Sequence, residues 1–454
     1  MEETKKSYYL VVGLGSSGLS MARFLHSIGR HVVATDIDES KPAAQRLLKD
    51  LGIRTQIGFH DQKTFDLATA IVVSPGIPLD MAYLKAAAQK GVPIMGELDI
   101  FSHYNKAPVI AITGTNGKTT TTTLIRDMLE ASGLSTFMGG NIGTPLVEHL
   151  MAEQKADLIV AEISSFQLDL ASNFKPEFAL LLNVTEDHLD RYDGFDGYTE
   201  SKWKIFKNQT SHDKAIINQA IEGFETRISR IASRIFSFSS RPESQTIQEG
   251  ARICGDKIIL MTQEGVHHID TCSLTELPGI HNRENIAAAA LASLLAGGNM
   301  AGILQALENF KNLPHRMAFV RKINGVDFYD DSKATNTDAV VRALESFQTP
   351  VILILGGREK GTDFSQLIPA IKQGVKQIIA LGEAKDHIQK TLEKICSVVA
   401  VNSMKEAVEK ACELAGKGEV VLLSPACASF DMYENYGARG DDFIALVRGL
   451  ENGR

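Results

Sequence analysis

At 454 residues the chain exceeds what one hydrophobic core organises, and a prior of about 150 residues per unit suggests roughly three. Hydrophobic residues at 44% and charged residues at 22% are ordinary for a globular protein, and a formal charge of −8 argues against a nucleic-acid or membrane-surface role. Cys254, Cys272, Cys396, Cys412 and Cys427 form no C-x-x-C pair, Met1–Lys6 shows no signal-peptide pattern, and no apolar run approaches the roughly 20 residues of a membrane span, so the expectation is a cytoplasmic monomer with free thiols.

Tyr8 to Val12 reads as a buried strand and Gly13-Leu-Gly15-Ser-Ser-Gly18 follows it. A helix over Ser20 to Ile28 and a strand over His31 to Thr35 come next, with Asp36 at the strand end. This is a dinucleotide-type fingerprint, with its acidic residue about 20 positions downstream to meet a ribose hydroxyl. Taken alone it points to an NAD-binding oxidoreductase, but any nucleotide diphosphate can occupy such a turn. Ala70 to Val73 is another strand, ending in Ser74-Pro75-Gly76. Ligands sit at the carboxyl ends of parallel strands, so Ser74 and Gly76 would face the crevice of Ser16 and Ser17, or Ser74 would simply serve the turn.

The central stretch is Pro108 to Thr113 followed by Gly114-Thr-Asn-Gly117-Lys118-Thr119-Thr120. Val109 to Ile112 is a β-branched run, and from Thr119 the apolar residues Leu124, Ile125, Met128 and Leu129 recur at helical spacing until Gly133. Strand, glycine turn and helix make a phosphate cradle, with backbone N–H groups turned inward and the positive helix end behind them. Lys118 can reach outer phosphates and the Thr119 hydroxyl can ligate Mg²⁺. The loop is shorter than the standard G-x-x-x-x-G-K-[ST] pattern, since Ile112 stands where its first glycine is expected.

Thr136 to Gly143 reads as a glycine-rich loop in which Asn141 can bind a substrate hydroxyl or amide. Asp157 to Glu162 is a buried strand delivering a carboxylate beside the phosphate loop, where such a group usually holds Mg²⁺, the alternative being a helix cap. Phe178 to Thr185 ends in Glu186, Asp187, His188, Asp190 and Arg191, a crowd of ionisable groups beyond what a solvated loop requires. Tyr198 to Phe206 reads as a helix with Trp203 and Phe206 on one face, and pattern alone does not separate Lys202 and Lys204 from surface lysines. Residues 208–275 carry short β-like runs, and the polar turn at Gly279–Asn285 opens an alanine-rich helix. That turn either faces a nucleotide or caps the helix.

Together these pieces resemble the Mur ligase family over essentially the whole chain. The marks are Gly13-Leu-Gly15, Gly114 to Thr120, Gly140-Asn-Ile-Gly143, Asn183 to Asp190, His281-Asn-Arg283, Leu313-Pro-His-Arg316, Asp331-Ser-Lys-Ala-Thr-Asn336, Gly356-Gly357 and Ser424 to Ser429. The Asp331–Asn336 run is similar to the D-glutamate-adding branch, where other members carry a tyrosine-alanine-histidine type sequence.

The resemblance implies an α/β protein of three units: a Rossmann-like UDP-binding domain over 1–97, a P-loop ATP-binding domain over 98–312, and a Rossmann-like amino-acid-binding domain over 313–454. It implies ATP-dependent amide formation from UDP-N-acetylmuramoyl-L-alanine and D-glutamate through an acyl phosphate, with Mg²⁺ (two ions) and closure about a hinge. By position, Gly114, Thr115, Asn116, Gly117, Lys118, Thr119, Thr120, Asn282, Asn285, Arg316 and Asp331 would hold ATP, and Thr119, Glu162 and His188 would hold metal. Lys202 matches the family lysine that becomes a CO₂-derived carbamate, a change that replaces a repelling ammonium by carboxylate-like oxygens. Gly15, Ser16, Ser17, Asp36, Ser74, Gly76, Asn141 and His188 match the UDP-substrate side. Lys333, Thr335, Lys360, Ser429 and Tyr436 match the D-glutamate side, with Tyr436 standing where an aromatic such as phenylalanine is usual. The alternatives are a folylpolyglutamate-type ligase, which lacks the first fingerprint, an NAD-binding oxidoreductase, and a P-loop switch or motor needing no amino acid.

Overall fold

The computed structural model describes residues 7–241, 246–275, 277 and 279–450; Met1–Lys6, read above for a signal peptide, lies outside them. Three sheets follow one another along the chain. The first contains β1 (Tyr9–Val12), β2 (Val32–Asp36), β3 (Arg54–Ile57), β4 (Ala70–Val73) and β5 (Ile94–Met95). They pair in the order β3-β2-β1-β4-β5, all parallel. Near-continuous burial of β1, β2 and β4 is what helices on both faces of a parallel sheet demand.

The second sheet holds β6 (Val109–Thr113), β7 (Thr136–Gly140), β8 (Leu158–Glu162), β9 (Phe178–Leu181), β10 (Lys214–Asn218), β11 (Arg234–Ser239), β12 (Gly250–Cys254), β13 (Lys257–Thr262) and β14 (Gly265–Asp270). Its order is β14-β13-β12-β11-β10-β9-β6-β8-β7, with β6 between β8 and β9. The phosphate loop therefore opens where the strands on either side deliver Glu162 and Asn183. The helix Lys118–Ala131 packs Leu124, Ile125, Met128 and Leu129 against the alanine-rich helix Ile280–Leu295, whose small side chains let the backbones approach closely.

The third sheet contains β15 (Ala318–Ile323), β16 (Val326–Asp330), β17 (Val351–Gly356), β18 (Val375–Leu381), β19 (Val398–Ala400) and β20 (Val420–Leu423), ordered β15-β16-β20-β17-β18-β19. All pairs are parallel except the β15–β16 hairpin. The five cysteines are free thiols. Among the described residues no helix is long and apolar enough to cross a membrane.

Several boundaries differ from the sequence reading. The first helix spans Ser16–Ser27 rather than starting at Ser20, because the chain turns at Gly13 and Gly15 already stands at the N-cap. Gly18 is required there, since a Cβ would lie 1.8 Å from the Gly13 carbonyl oxygen. The stretch expected as a loop from Thr136 is the edge strand β7 up to Gly140, whose φ of +106° and approach to the Glu162 carbonyl exclude a side chain. The helix carrying Lys202 begins at Gly194 and ends at Trp203, where a 3₁₀ turn takes over.

Glu97, 1% exposed, sits where the first sheet meets the second, with the Val147 N–H donating to it at 3.3 Å. Burial pushes its carboxyl up to about 7 from 4.5, against smaller opposing contributions from Val147, Leu146 and Ser17. Because the folded state holds this proton more tightly than the unfolded chain, the stabilisation is complete below about 4.5 and disappears as pH rises through about 7. Glu97→Gln is expected to flatten the fall in urea midpoint between about pH 5 and pH 7, and an unaltered slope would contradict this assignment.

Candidate active site

A cavity of about 610 Å³ opens over the carboxyl ends of the central strands and is roofed by the third sheet. Thr115 to Thr120 line it together with Glu162, His188, Asn282, Asn285, Arg316, Asp331, Lys333, Thr335 and Tyr436. The phosphate loop is held from below. Asn183 clasps Asn116 twice, its Oδ1 accepting the Asn116 N–H at 2.8 Å and its Nδ2 donating to the carbonyl at 3.0 Å. Thr115 Oγ1 pairs with Tyr198 Oη at 3.2 Å. Gly117 takes φ +84°, and a Cβ there would lie 2.3 Å from Asn285 Oδ1, so the loop and the alanine-rich helix touch where a nucleotide would lie.

Lys118 Nζ donates to the carbonyls of Gly114 and Thr115, each at 2.8 Å. Burial pushes its ammonium below the usual lysine range, while Glu162 and Asp187 pull the other way. Lys202 is 1% exposed and donates to the same Gly114 carbonyl at 2.8 Å. Burial, with the repulsion of Lys118, pushes it well below the ordinary value. Lys204 instead pairs with Asp169 at 2.7 Å in a more exposed setting, so the two lysines left equivalent by pattern are separated by burial.

Glu162 ends β8 at 3% exposure. Its Oε1 accepts from Asn141 Nδ2 at 3.0 Å, and its Oε2 is buried without a hydrogen-bond partner. The helix-cap alternative falls away, because Ser164 caps the helix Ser165–Asp169 in a capping box with Gln167. His188 adopts φ +56°, and burial takes its imidazole down to about 4 despite the neighbouring Asp187. It is a neutral ring at neutral pH, as a metal ligand must be. Among the described residues no three His, Cys, Asp or Glu side chains cluster as a ready cation cage. A metal held here would therefore draw on the Glu162 oxygen, the Thr119 hydroxyl, the His188 ring and groups from substrate.

The third sheet reaches in through Lys333, whose Nζ donates to Thr119 Oγ1 at 2.8 Å and lies 5.0 Å from the Tyr436 ring centre. Burial brings it down to about 7, with the Arg316 guanidinium also opposing its charge. Asp331 is pushed up to about 7 by burial, although Ser424 Oγ donates to it at 2.9 Å. Arg316 is half-buried beside it, with its Nε buried and unpartnered. Lys360 faces Asp187 at 3.6 Å in a smaller adjoining cavity that Thr335 also lines.

Other expected residues lie elsewhere. Ser429 is buried outside both cavities, its carbonyl accepting from the Met432 and Tyr433 N–H groups. Gly15 and Ser16 are exposed at the first helix start, with Ser17 half-buried beside them, and none lines the central cavity. Ser74 Oγ donates to the Gly13 carbonyl at 2.8 Å, and Gly76 accepts from Arg191 at 3.4 Å. Asp36 already has partners, accepting from the Leu14 N–H of the glycine turn at 2.6 Å and pairing with Lys41 at 2.8 Å. An acidic group already occupied in this way argues against the ribose contact of a dinucleotide enzyme.

Asp187, Asn183, Asn336 and Asp338 received no individual role from the sequence. Asn116 Nδ2 donates to Asp338 Oδ2 at 2.8 Å and Asn336 Nδ2 to Asp187 Oδ2 at 3.3 Å, joining the second and third sheets across the cleft. Asp187 could have been found from the ionisable crowd around it. The other three are amides and an acid whose partners lie in distant segments.

Known proteins place the chain in a family. Family models match three consecutive segments: Mur ligase MurD-like N-terminal domain over residues 7–96, Mur ligase middle domain over 112–293, and Mur ligase glutamate ligase domain over 315–427. The chain is 45% identical over 450 residues to a protein of Desulfatibacillum aliphaticivorans named UDP-N-acetylmuramoylalanine–D-glutamate ligase, covering 99% of each chain. It is equally 45% identical to the protein of that name from Desulfosudis oleivorans, over 99% of this chain and 98% of the other. In fold it is similar to MurF from Acinetobacter baumannii (TM-score 0.63, 17% identity, 96% and 93% of the two chains). UDP-N-acetylmuramate-alanine ligase MurC from Thermotoga maritima is likewise similar (TM-score 0.61, 18% identity, 98% and 100%). With its full length matched and a phosphate loop, a buried carboxylate, Lys118 and Lys333 gathered in one cleft, the chain belongs to the Mur ligase family.

Proposed function

We infer that the protein is the ATP-dependent ligase that adds D-glutamate to UDP-N-acetylmuramoyl-L-alanine in peptidoglycan precursor synthesis. One observation carries the reading. A single cavity joins the phosphate loop and Glu162 of the central sheet to Lys333, Thr335 and Tyr436 of the third, so nucleotide and amino acid can meet in one enclosure. We divide the chain accordingly into a UDP-substrate domain over 1–97, an ATP domain over 98–312 and an amino-acid domain over 313–454.

A carboxylate is a poor acyl donor, because its oxygen leaves as oxide. Attack of the muramoyl-alanine carboxylate on the ATP γ-phosphate converts that oxygen into a phosphate leaving group and releases ADP. The D-glutamate amine then adds to the acyl carbon, and the tetrahedral adduct expels phosphate. Two anions must approach in the first step, so cations have to be in place before chemistry starts. Lys118 turns from its backbone carbonyls to the outer phosphates, and Lys333 is within reach of the same group through Thr119. The unpartnered Glu162 oxygen, the Thr119 hydroxyl and neutral His188 fit Mg²⁺, which when bound supplies charge neutralisation at the phosphates. Burial pushes Lys202 toward the neutral amine, the form that adds to CO₂, losing one proton to become a carbamate that would face the same metal. Arg316 and Asp331 stand at the nucleotide, and Lys360 and Thr335 offer a cation and a hydroxyl to the D-glutamate carboxylates.

Phosphate release is the test, measured with UDP-N-acetylmuramoyl-L-alanine and ATP against a panel of L- and D-amino acids. D-glutamate alone is expected to support turnover. A preference for another amino acid, or full ATP hydrolysis with none, would overturn the reading.

A further inference from the structure

Arg439 heads the fully buried side chains by size, with 2% of its surface exposed. A guanidinium out of water is costly unless its N–H groups find acceptors. Here Nε donates to Ser332 Oγ at 2.9 Å, Nη2 to the Ser332 carbonyl at 2.8 Å and Nη1 to the Cys427 carbonyl at 3.1 Å. Ser332 Oγ in turn donates a hydrogen bond to the Tyr436 carbonyl at 2.8 Å. Gly357 completes the knot, since a Cβ there would lie 3.0 Å from Nη1. Among the described residues the guanidinium makes no ion pair, and Asp431 and Asp330 act on it only from further off.

One cation thus ties together the loops that leave β16 and β20 and packs against the loop that leaves β17. Those loops carry the groups assigned above to D-glutamate. Lys333 directly follows Ser332, Ser429 lies two residues beyond Cys427, Lys360 three beyond Gly357, and Tyr436 opens the helix that holds Arg439. Fold stability gives no reason for this choice, because well-packed apolar residues often serve as well as a buried ion. A planar fork with acceptors in fixed directions does give one, since it sets the loops at defined spacing.

We propose that Arg439 is a positioning residue for the amino-acid substrate, fixing the mutual placement of Lys333, Thr335, Lys360 and Tyr436 without touching D-glutamate. The inference rests on the ligase reading and on the third domain carrying the amino acid. Steady-state kinetics on the full chain separate the two. Wild-type turnover without D-glutamate dependence would defeat the ligase reading before any variant is made. With that dependence present, Arg439→Met and Arg439→Lys are expected to raise the D-glutamate KM about ten- to a hundredfold, the scale of a small misplacement, with KM for ATP and the UDP-sugar within about twofold. Ser332→Ala removes only the Oγ contact and should move the D-glutamate KM in the same direction by less, which keeps the test open if Arg439→Met fails to fold. An unchanged D-glutamate KM in soluble Arg439→Lys and Ser332→Ala overturns the proposal. So does a common rise in all three KM values alongside a lower melting temperature.

Discussion

Lys118→Ala is expected to lower kcat roughly 10²–10³-fold, the usual cost of removing one charge-stabilising donor, while leaving the nucleotide-free protein as stable as the wild type or more so. The two effects have one cause. Without nucleotide, Lys118 is half-buried at the cavity wall and its charge is disfavoured by desolvation, with the Gly114 and Thr115 carbonyls as direct acceptors. Alanine relieves that penalty. When a polyphosphate arrives the balance reverses, because its negative oxygens favour the ammonium that burial disfavours. Thermal melts with and without ATP and Mg²⁺ should show a nucleotide-induced rise in melting temperature for the wild type and little rise for the variant. A variant that keeps wild-type synthesis would dismiss Lys118 from the chemistry. One that melts well below the wild type without nucleotide would mean the lysine is structural.

The nucleotide half of this site was largely legible in the sequence because its chemistry is local. A β-branched run, a glycine turn and helical spacing occupy one continuous stretch, and the left-handed φ of Gly117 explains why a glycine stands there. Glu162 could be placed because strand ends are readable and parallel strands deliver them to one edge. The misread boundaries share another origin. Glycine-rich Thr136–Gly140 has weak β-propensity, and its strand exists only because β8 offers it a ladder, with Gly140 against the Glu162 carbonyl.

What the sequence left open was long-range. Lys202 and Lys204 sit two positions apart on one helical stretch, and nothing local shows which reaches the Gly114 carbonyl and which reaches Asp169. Asn116 and Asp338 meet across a separation of 222 residues. Arg439 looks like an ordinary helix-surface arginine until its acceptors are seen to be carbonyls from a loop far upstream and the turn before the helix. Arrangement, rather than residue type, separates a buried knot from a solvated charge. The D-glutamate side, assembled from several loops, was therefore accessible only through family resemblance, and Ser429 shows that a matched position need not face the cavity.

Lys202→Met is expected to reduce activity about 10- to 100-fold, the scale seen when groups supporting a bound metal are lost, without destabilising the fold. An apolar chain of similar length suits a site that is 1% exposed. The electrostatics explain the loss. Lys202 shares the Gly114 carbonyl with Lys118, and as an ammonium it would be repelled by that neighbour. Carbamylation exchanges that competitor for a negative group, so the same proximity turns attractive and favours the charged form of Lys118 just where phosphates require it. The reaction needs the unprotonated amine, so carbamate should be lost as pH falls below the depressed pKa of Lys202. ¹³C NMR of protein equilibrated with ¹³C-bicarbonate reads this directly, with a carbamate signal in the wild type and in Lys204→Met, and none in Lys202→Met. A signal that survives in Lys202→Met but vanishes in Lys204→Met would reassign the modified lysine. Full activity in Lys202→Met would remove the carbamate from the mechanism.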